Sequence, residues 1–266
     1  MSAAPHMTFE DAKLGARQLK AHHEFHRVLA GGSPGAHLIS PCGVEALVVP
    51  ACPWFSVINC VFAYESALAL EEALPELNRA YAGVGVSSYR VSVPAEDEHA
   101  ATVLTEHGFA RKGSALRMAS FLRGQDLGQR RSLDLVAQPT WETIARCNDR
   151  VYGLPSRWTT AKAFSSLDHS AFHLYAVRAG GDVVSVVASH ESEGNCYICF
   201  MATVPEAQRS GIGVELVRLV KRQARKHGCE SSSGESSVSA EHLYLKGGAR
   251  ILGRLGLWER RFSSPV

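Results

Sequence analysis

Apolar residues recur at helical spacing over residues 9–29, with Leu14, Leu19, Phe25, Val28 and Leu29 on the repeat and Gly31 and Gly32 closing it. Two strand-like runs follow at residues 44–49 and 55–64. ALALEEALPELNRAYAGVG then gives a helix closed by glycine, SSYRVSVP a strand, EDEHAATVLTEHGFA a helix and turn, and SALRMASFL a strand. The polar, glycine-bearing RGQDLGQRR at residues 123–131 reads as a linker. Beyond it the pattern predicts a strand at residues 133–137, a helix at 140–152, a short helix at 159–164 and a strand at 172–178. Gly180, Gly181 and Asp182 turn the chain into a strand at 183–190, and ESEGN turns it into another at 196–204, an antiparallel meander. Residues 213–227 return to helical spacing through Leu216, Leu219, Val220 and Ala224, with Gly228 as the stop. Lys221, Arg222, Arg225 and Lys226 lie in its last turns, where cations complement the helix dipole. LYLKGGARILGRLGLWERR closes the chain as a helix, a turn and a strand.

The order of elements before the linker recurs loosely after it, which predicts a duplication: two mixed α/β lobes, residues 1–125 and 132–266. With 266 residues, 45% of them hydrophobic, the chain has material for a substantial core. A net charge of +2 with dispersed basic residues argues against nucleic acid or an anionic membrane as partner and for a small molecule or a protein. No apolar run reaches the roughly 18–20 residues of a spanning helix. The N-terminal MSAAPHMTFEDAK lacks the apolar core of a signal peptide, so the expected location is cytoplasmic.

Seven scattered cysteines suit reduced thiols better than a disulfide framework. Cys196 and Cys199 form a C-x-x-C, but on a strand residues three apart face opposite ways, which argues against a shared metal. His22, His23 and His26 fall on the first helix, and His22 with His26 has the i, i+4 spacing of a metal pair. No third ligand is evident, so they read as a solvated face and no metal is expected.

The stretch ATVPEAQRSGIG carries the chemistry. A strand that runs through paired glycines into a helix N-terminus presents free backbone N–H groups and the positive end of the dipole. Gly211 and Gly213 remove side chains that would block a phosphate. There is no G-K-[ST] for a Walker site, nor the third glycine and acidic residue of a dinucleotide fold.

CYICFMATVPEAQRSGIGVELVRLVKRQARKHGC resembles the acetyl-CoA-binding core of the GCN5-related N-acetyltransferases (GNAT), whose signature [QR]-x-x-G-x-[GA] stands here as Gln208-Arg209-Ser210-Gly211-Ile212-Gly213. The resemblance runs from about residue 132 to 262. It is weaker over residues 40–122, which look like a degenerate N-terminal copy, as in tandem members. It implies the GNAT acyl-CoA N-acyltransferase fold in two lobes, and acetyl-CoA as cosubstrate without a metal. It places the amides of Gln208, Arg209, Ser210, Gly211, Ile212 and Gly213 on the pyrophosphate, and the strand edge including Ala202, Thr203 and Val204 on the pantetheine arm. Tyr244 matches the family's acid for the leaving thiolate, and core packing is its other reading. An attacking amine must lose a proton, and His190, Glu191 and Glu193, around the turn before the signature strand, are the nearest bases.

Two departures stand out. ESSSGESSV, where the family has an apolar strand, makes a poor strand, and Lys246-Gly247-Gly248-Ala249 replaces larger apolar residues. The cofactor half looks intact and the catalytic half eroded. The reading is an N-acetyltransferase that moves the acetyl group to a primary amine of a small molecule or peptide by direct attack. Its rivals are a non-catalytic acyl-CoA binder and a purely structural assembly. A homodimer is left open.

Overall fold

The computed structural model describes residues 8–153, 160–164, 167 and 169–262. The first half runs α1 (Phe9–Gly32), β1 (His37–Ile39), β2 (Val44–Val48), β3 (Cys60–Tyr64), α2 (Ala67–Gly83), β4 (Ser88–Pro94), α3 (Glu98–Glu106) and β5 (Ala110–Phe121). The second runs β6 (Asp134–Leu135), α4 (Trp141–Tyr152), α5 (Ala161–Phe164), β7 (Phe172–Ala179), β8 (Asp182–Ser192), β9 (Asn195–Thr203), α6 (Ile212–Lys226), β10 (Ser231–Ser237), α7 (Glu241–Lys246) and β11 (Arg250–Arg261). The run β3-α2-β4-α3-β5 recurs as β9-α6-β10-α7-β11. Thr8, Ser66, Asp97 and Thr140 start α1, α2, α3 and α4 by accepting a first-turn N–H on the side chain.

Residues 55–59, expected as strand, are turns, and the strand begins only at Cys60. Asn59 holds them there. Its Oδ1 accepts from Val49 N at 2.7 Å and its Nδ2 donates to Cys52 O at 2.9 Å, a local alternative to ladder pairing. The strand expected at residues 133–137 shrinks to Asp134–Leu135, and Thr159, expected to begin the short helix, lies outside the described residues.

Among the described residues, eleven strands form a single mixed sheet in the order β1-β2-β3-β4-β11-β5-β10-β9-β8-β7-β6. The sheet does not follow the division at the linker. β11 inserts between β4 and β5, antiparallel to both, while β5 pairs antiparallel with β10. Each half therefore gives its last strand to the other. The linker docks as well, with buried Leu127, whose carbonyl accepts from Arg222 at 2.8 Å, and Gln125, whose carbonyl accepts from Arg225 at 3.1 Å.

α1 crosses β9, β10 and β5 on one face of the sheet, and α6 packs on the other. His22 and His26 are therefore buried under the sheet and are not a solvated face. His22 Nδ1 meets the Tyr197 hydroxyl at 2.7 Å, His26 Nδ1 meets His22 O at 2.7 Å, and the His26 ring stacks on Phe62 at 4.4 Å. Burial pushes both imidazoles down, His22 to about 3, so both are neutral.

The serine run is a central strand, paired along its whole length with β5, contrary to expectation. Its register with β5 extends from Ser231↔Phe121 to Ser237↔Ala115. A polar strand is tolerated here because its hydroxyls are satisfied: Ser231 donates to Asn195 at 2.9 Å, Asn195 donates to Ser233 at 2.9 Å, and Ser232 meets Ser120 at 3.0 Å. Lys221 reaches from α6 to Ser120 at 2.8 Å and to Gly247 O at 2.7 Å, and burial lowers its ammonium to about 8.

Because the halves exchange strands, calorimetry is expected to show one cooperative unfolding transition in which both halves melt together. Two separated transitions would contradict this.

Candidate active site

After β9 the chain makes a short helical turn, Pro205–Ala207, and enters the glycine segment. Arg209 (φ +60°) and Gly211 (φ +85°) are both left-handed, and Gly211 is the N-cap of α6. Ser210 Oγ donates to Ala207 O at 2.6 Å, Gln208 Nε2 donates to Thr203 O at 3.0 Å, and Arg131 donates to Ser210 O. Residues 208–211 are exposed, but Gln208 N donates to Pro205 O at 3.2 Å, so the Gln208 amide expected on the pyrophosphate is already used. The N–H groups left to a ligand are those from Arg209 onward in the left-handed turn and in the first turn of the 15-residue α6. Gly213 has a different role. A Cβ there would lie 2.7 Å from Leu243 Cδ1 and 3.3 Å from Met201 Cε, so glycine lets α6 approach α7. Glu215, in the first turn of α6, is engaged by Arg218 at 2.5 Å and by Arg130 N at 3.1 Å. Burial would raise its carboxyl, and these bonds bring it below the usual range.

β9 pairs with β8 on one side, interrupted by a bulge: Val186 faces Ala202 and Ala188 faces Cys199, with Phe200 left-handed at φ +48°. Asn148 of α4 pins the bulge, donating to Phe200 O at 3.1 Å and to Ile144 O at 2.9 Å. On the other side β9 runs parallel to β10 for only four pairs, from Ser231↔Asn195 to Gly234↔Ile198. Beyond Gly234, β10 stays with β5 and leaves β9. The point of parting is tight, since a Cβ on Gly234 would lie 2.7 Å from Ile198 O. Val204 N donates to Val184 O at 2.9 Å and Ala202 pairs with Val186, so these two amides serve β8. Alternation turns Met201 and Thr203 toward the gap.

A small cavity, of the size that holds one water, lies at the gap and is lined by Met118, Ile198, Gly234, Glu235, Ser236 and Tyr244. Tyr244 is buried, and burial raises its hydroxyl well above the ordinary range, so it keeps its proton at neutral pH. Glu235, the first residue after the parting, stands 3.9 Å from His22 Nδ1. Burial raises its carboxyl to about 7 against the opposing pull of Arg117 and Arg90. With 24% of its side chain accessible, it can still meet a ligand.

Sequence reasoning missed Glu235 because it treated the segment as eroded. The available signal was a single charged residue inside a serine and glycine strand. The structure does not bring His190, Glu191 or Glu193 to the gap. They lie at the hairpin end of β8, where Glu191 faces Cys196, and Cys196 is four residues from the bulge, about 13 Å along a strand. His190 is buried with Nδ1 on Ala171 O at 2.8 Å, Glu191 meets His227 at 3.1 Å, and Glu193 pairs with Lys20.

The Gly234→Ala variant is expected to destabilise the protein by about 1–3 kcal/mol through overpacking, read as a Tm lowered by several degrees. An unchanged Tm would mean that β10 does not need this approach to β9.

Residues 138–248 match the acetyltransferase (GNAT) family. No curated protein matches the chain by sequence. Among solved structures, a GCN5-related N-acetyltransferase from Kribbella flavida superposes with a TM-score of 0.67 at 15% identity, covering 93% of this chain and 96% of that one. A functionally unknown conserved protein from Staphylococcus epidermidis gives 0.62 at 14% identity over 86% and 95%. A tandem GNAT protein from the clavulanic acid biosynthesis pathway gives 0.56 at 10% identity over 93% and 96%. These likenesses establish a GNAT fold extending over nearly the whole chain.

Proposed function

Since residues 138–248 match the acetyltransferase (GNAT) family, we propose that the protein transfers the acetyl group of acetyl-CoA to a primary amine by direct attack. The observation that carries the reading is the gap where β10 leaves β9 at Gly234, on the strand that runs into the left-handed glycine turn opening α6. The residues present fit the cosubstrate. The amides of residues 209–211 and the α6 N-terminus suit a pyrophosphate, and the free edge at Met201 and Thr203 suits an extended amide-bearing arm. The strand whose erosion suggested a non-catalytic binder is intact.

Acetyl-CoA supplies the acetyl group as a thioester. A backbone N–H on the free edge of β9 would donate to the thioester carbonyl, a bond that strengthens as negative charge develops on that oxygen. Glu235 replaces His190 and Glu191 as the base. Its carboxylate takes the proton that the amine loses as the C–N bond forms, directly or through the water-sized cavity. As the C–S bond breaks, Tyr244 gives its proton to the departing sulfur. Glu235 and Tyr244 both line the small cavity at the gap, which supports pairing them as base and acid. The acceptor would be a small molecule or the end of a peptide.

Titration calorimetry with acetyl-CoA is expected to show binding that weakens at least about tenfold in Gly211→Asp, because the substitution puts a carboxylate where amide groups would hold phosphate. Equal affinity in the variant would remove the loop from the site. Amine-dependent release of free thiol is expected in the wild type and should fall by about 100-fold in Tyr244→Phe; release without an added amine, or none with any amine, would contradict transfer.

For Glu235 the sign follows from its raised carboxyl. The basic form accumulates as pH rises through about 7, so kcat/KM should climb over that range. In Glu235→Gln the rate should be low and that limb lost. An unchanged limb in the variant would assign the base elsewhere.

A further inference from the structure

At the end of the sheet away from the glycine turn, three elements bring together side chains that play no part in the transfer. His173 from β7, Glu191 from β8 and His227 at the C-cap of α6 each offer one ligand atom, and all three atoms lie within 4.8 Å of one another. Glu191 lies 3.1 Å and 3.2 Å from His227 Nδ1 through its two oxygens, and 3.5 Å from His173 Nε2.

We propose that His173, Glu191 and His227 form a site for a divalent transition-metal ion, zinc in the first place, that ties the β7–β8 hairpin to the C-terminal end of α6. Bond lengths of about 2.0–2.2 Å in a tetrahedron place neighbouring ligand atoms about 3.3 Å apart. The Glu191 distances already sit near that spacing, and the two imidazole nitrogens, within 4.8 Å of each other, close on the ion by rotation of their exposed side chains. Two imidazoles and one carboxylate select zinc, cobalt or nickel over magnesium or calcium. Glu191 supplies the negative charge, and the carbonyls at the end of α6 add to it.

The side chains of His173 and His227 are 39% and 41% accessible, which gives an ion a path in and leaves room for water as a further ligand. None of these spacings is a sequence motif. The ligands stand at 173, 191 and 227, so only the fold assembles them. This site is independent of the acetyl-transfer reading and would stand if that reading failed.

The test uses the full-length, untagged, EDTA-treated protein. Titration calorimetry with zinc chloride is expected to give one ion per chain with micromolar affinity or better, and cobalt chloride is expected to give the visible absorption of a tetrahedral ion. Glu191→Gln, nearly isosteric, and His227→Ala should each weaken zinc at least about tenfold, with circular dichroism confirming that the fold is kept. His99→Ala, an exposed histidine in the first half, should bind as the wild type does. Saturating zinc should raise the wild-type Tm and leave that of Glu191→Gln unchanged. Absence of saturable binding below about 100 μM, or binding that both ligand variants retain, would overturn the proposal and leave a hydrogen-bonded trio of side chains.

Discussion

The structure turns on the parting of β9 and β10. Parallel strands that stayed paired would close the sheet and leave no slot. Here pairing lasts for four residues because Gly234 can lie against the Ile198 carbonyl, and it ends there because the two strands then follow different partners. β9 bends away through the bulge at Phe200, which Asn148 fixes from behind, while β10 continues along β5. Backbone donors and acceptors on β9 are thereby left facing an opening instead of a neighbour. A free strand edge is a liability on an exposed surface, but inside a cleft it is a template for an extended ligand.

The strand exchange explains why this opening can persist in a sheet so long. β10 needs a second neighbour to hold it once β9 is gone, and that neighbour is β5, from the first half of the chain. β11, which would be its neighbour without the exchange, lies instead between β4 and β5. The first half is thus part of the site's construction although it has no glycine turn of its own. It also brings α1 across β9 and β10, setting His22 beside Glu235 and Tyr197. The polar strand belongs to the same arrangement: its alternate hydroxyls meet Ser120 and Asn195, and the Lys221 ammonium ties Ser120 to the turn after α7.

Much of this is legible in the sequence. The signature from Gln208 to Gly213, the helix that follows it and the meander that leads into it all obey local rules: helical period, alternation and turn chemistry act over a few residues. Failures came where distant partners decide. The period of α1 was right, but the burial of His22 and His26 depends on a sheet that packs over them. Serines looked unfit for a central strand because their partners, Ser120, Asn195 and Lys221, are far away in sequence. His190 and Glu191 were placed near the chemistry by chain order, whereas strand geometry puts them at the opposite end from the bulge. Glu235 and the exchange of last strands could not be reached by pattern alone, because both follow from which strands are neighbours.

The central claim is that the free edge of β9 and the turn before α6 together form one binding surface. Amide hydrogen exchange with and without acetyl-CoA tests it most directly. The account predicts that saturating acetyl-CoA slows exchange at the amides of Met201, Thr203 and residues 209–214 and leaves the strands of the first half unchanged. Protection confined to other parts of the chain, or none at the β9 edge while ligand is bound, would contradict it.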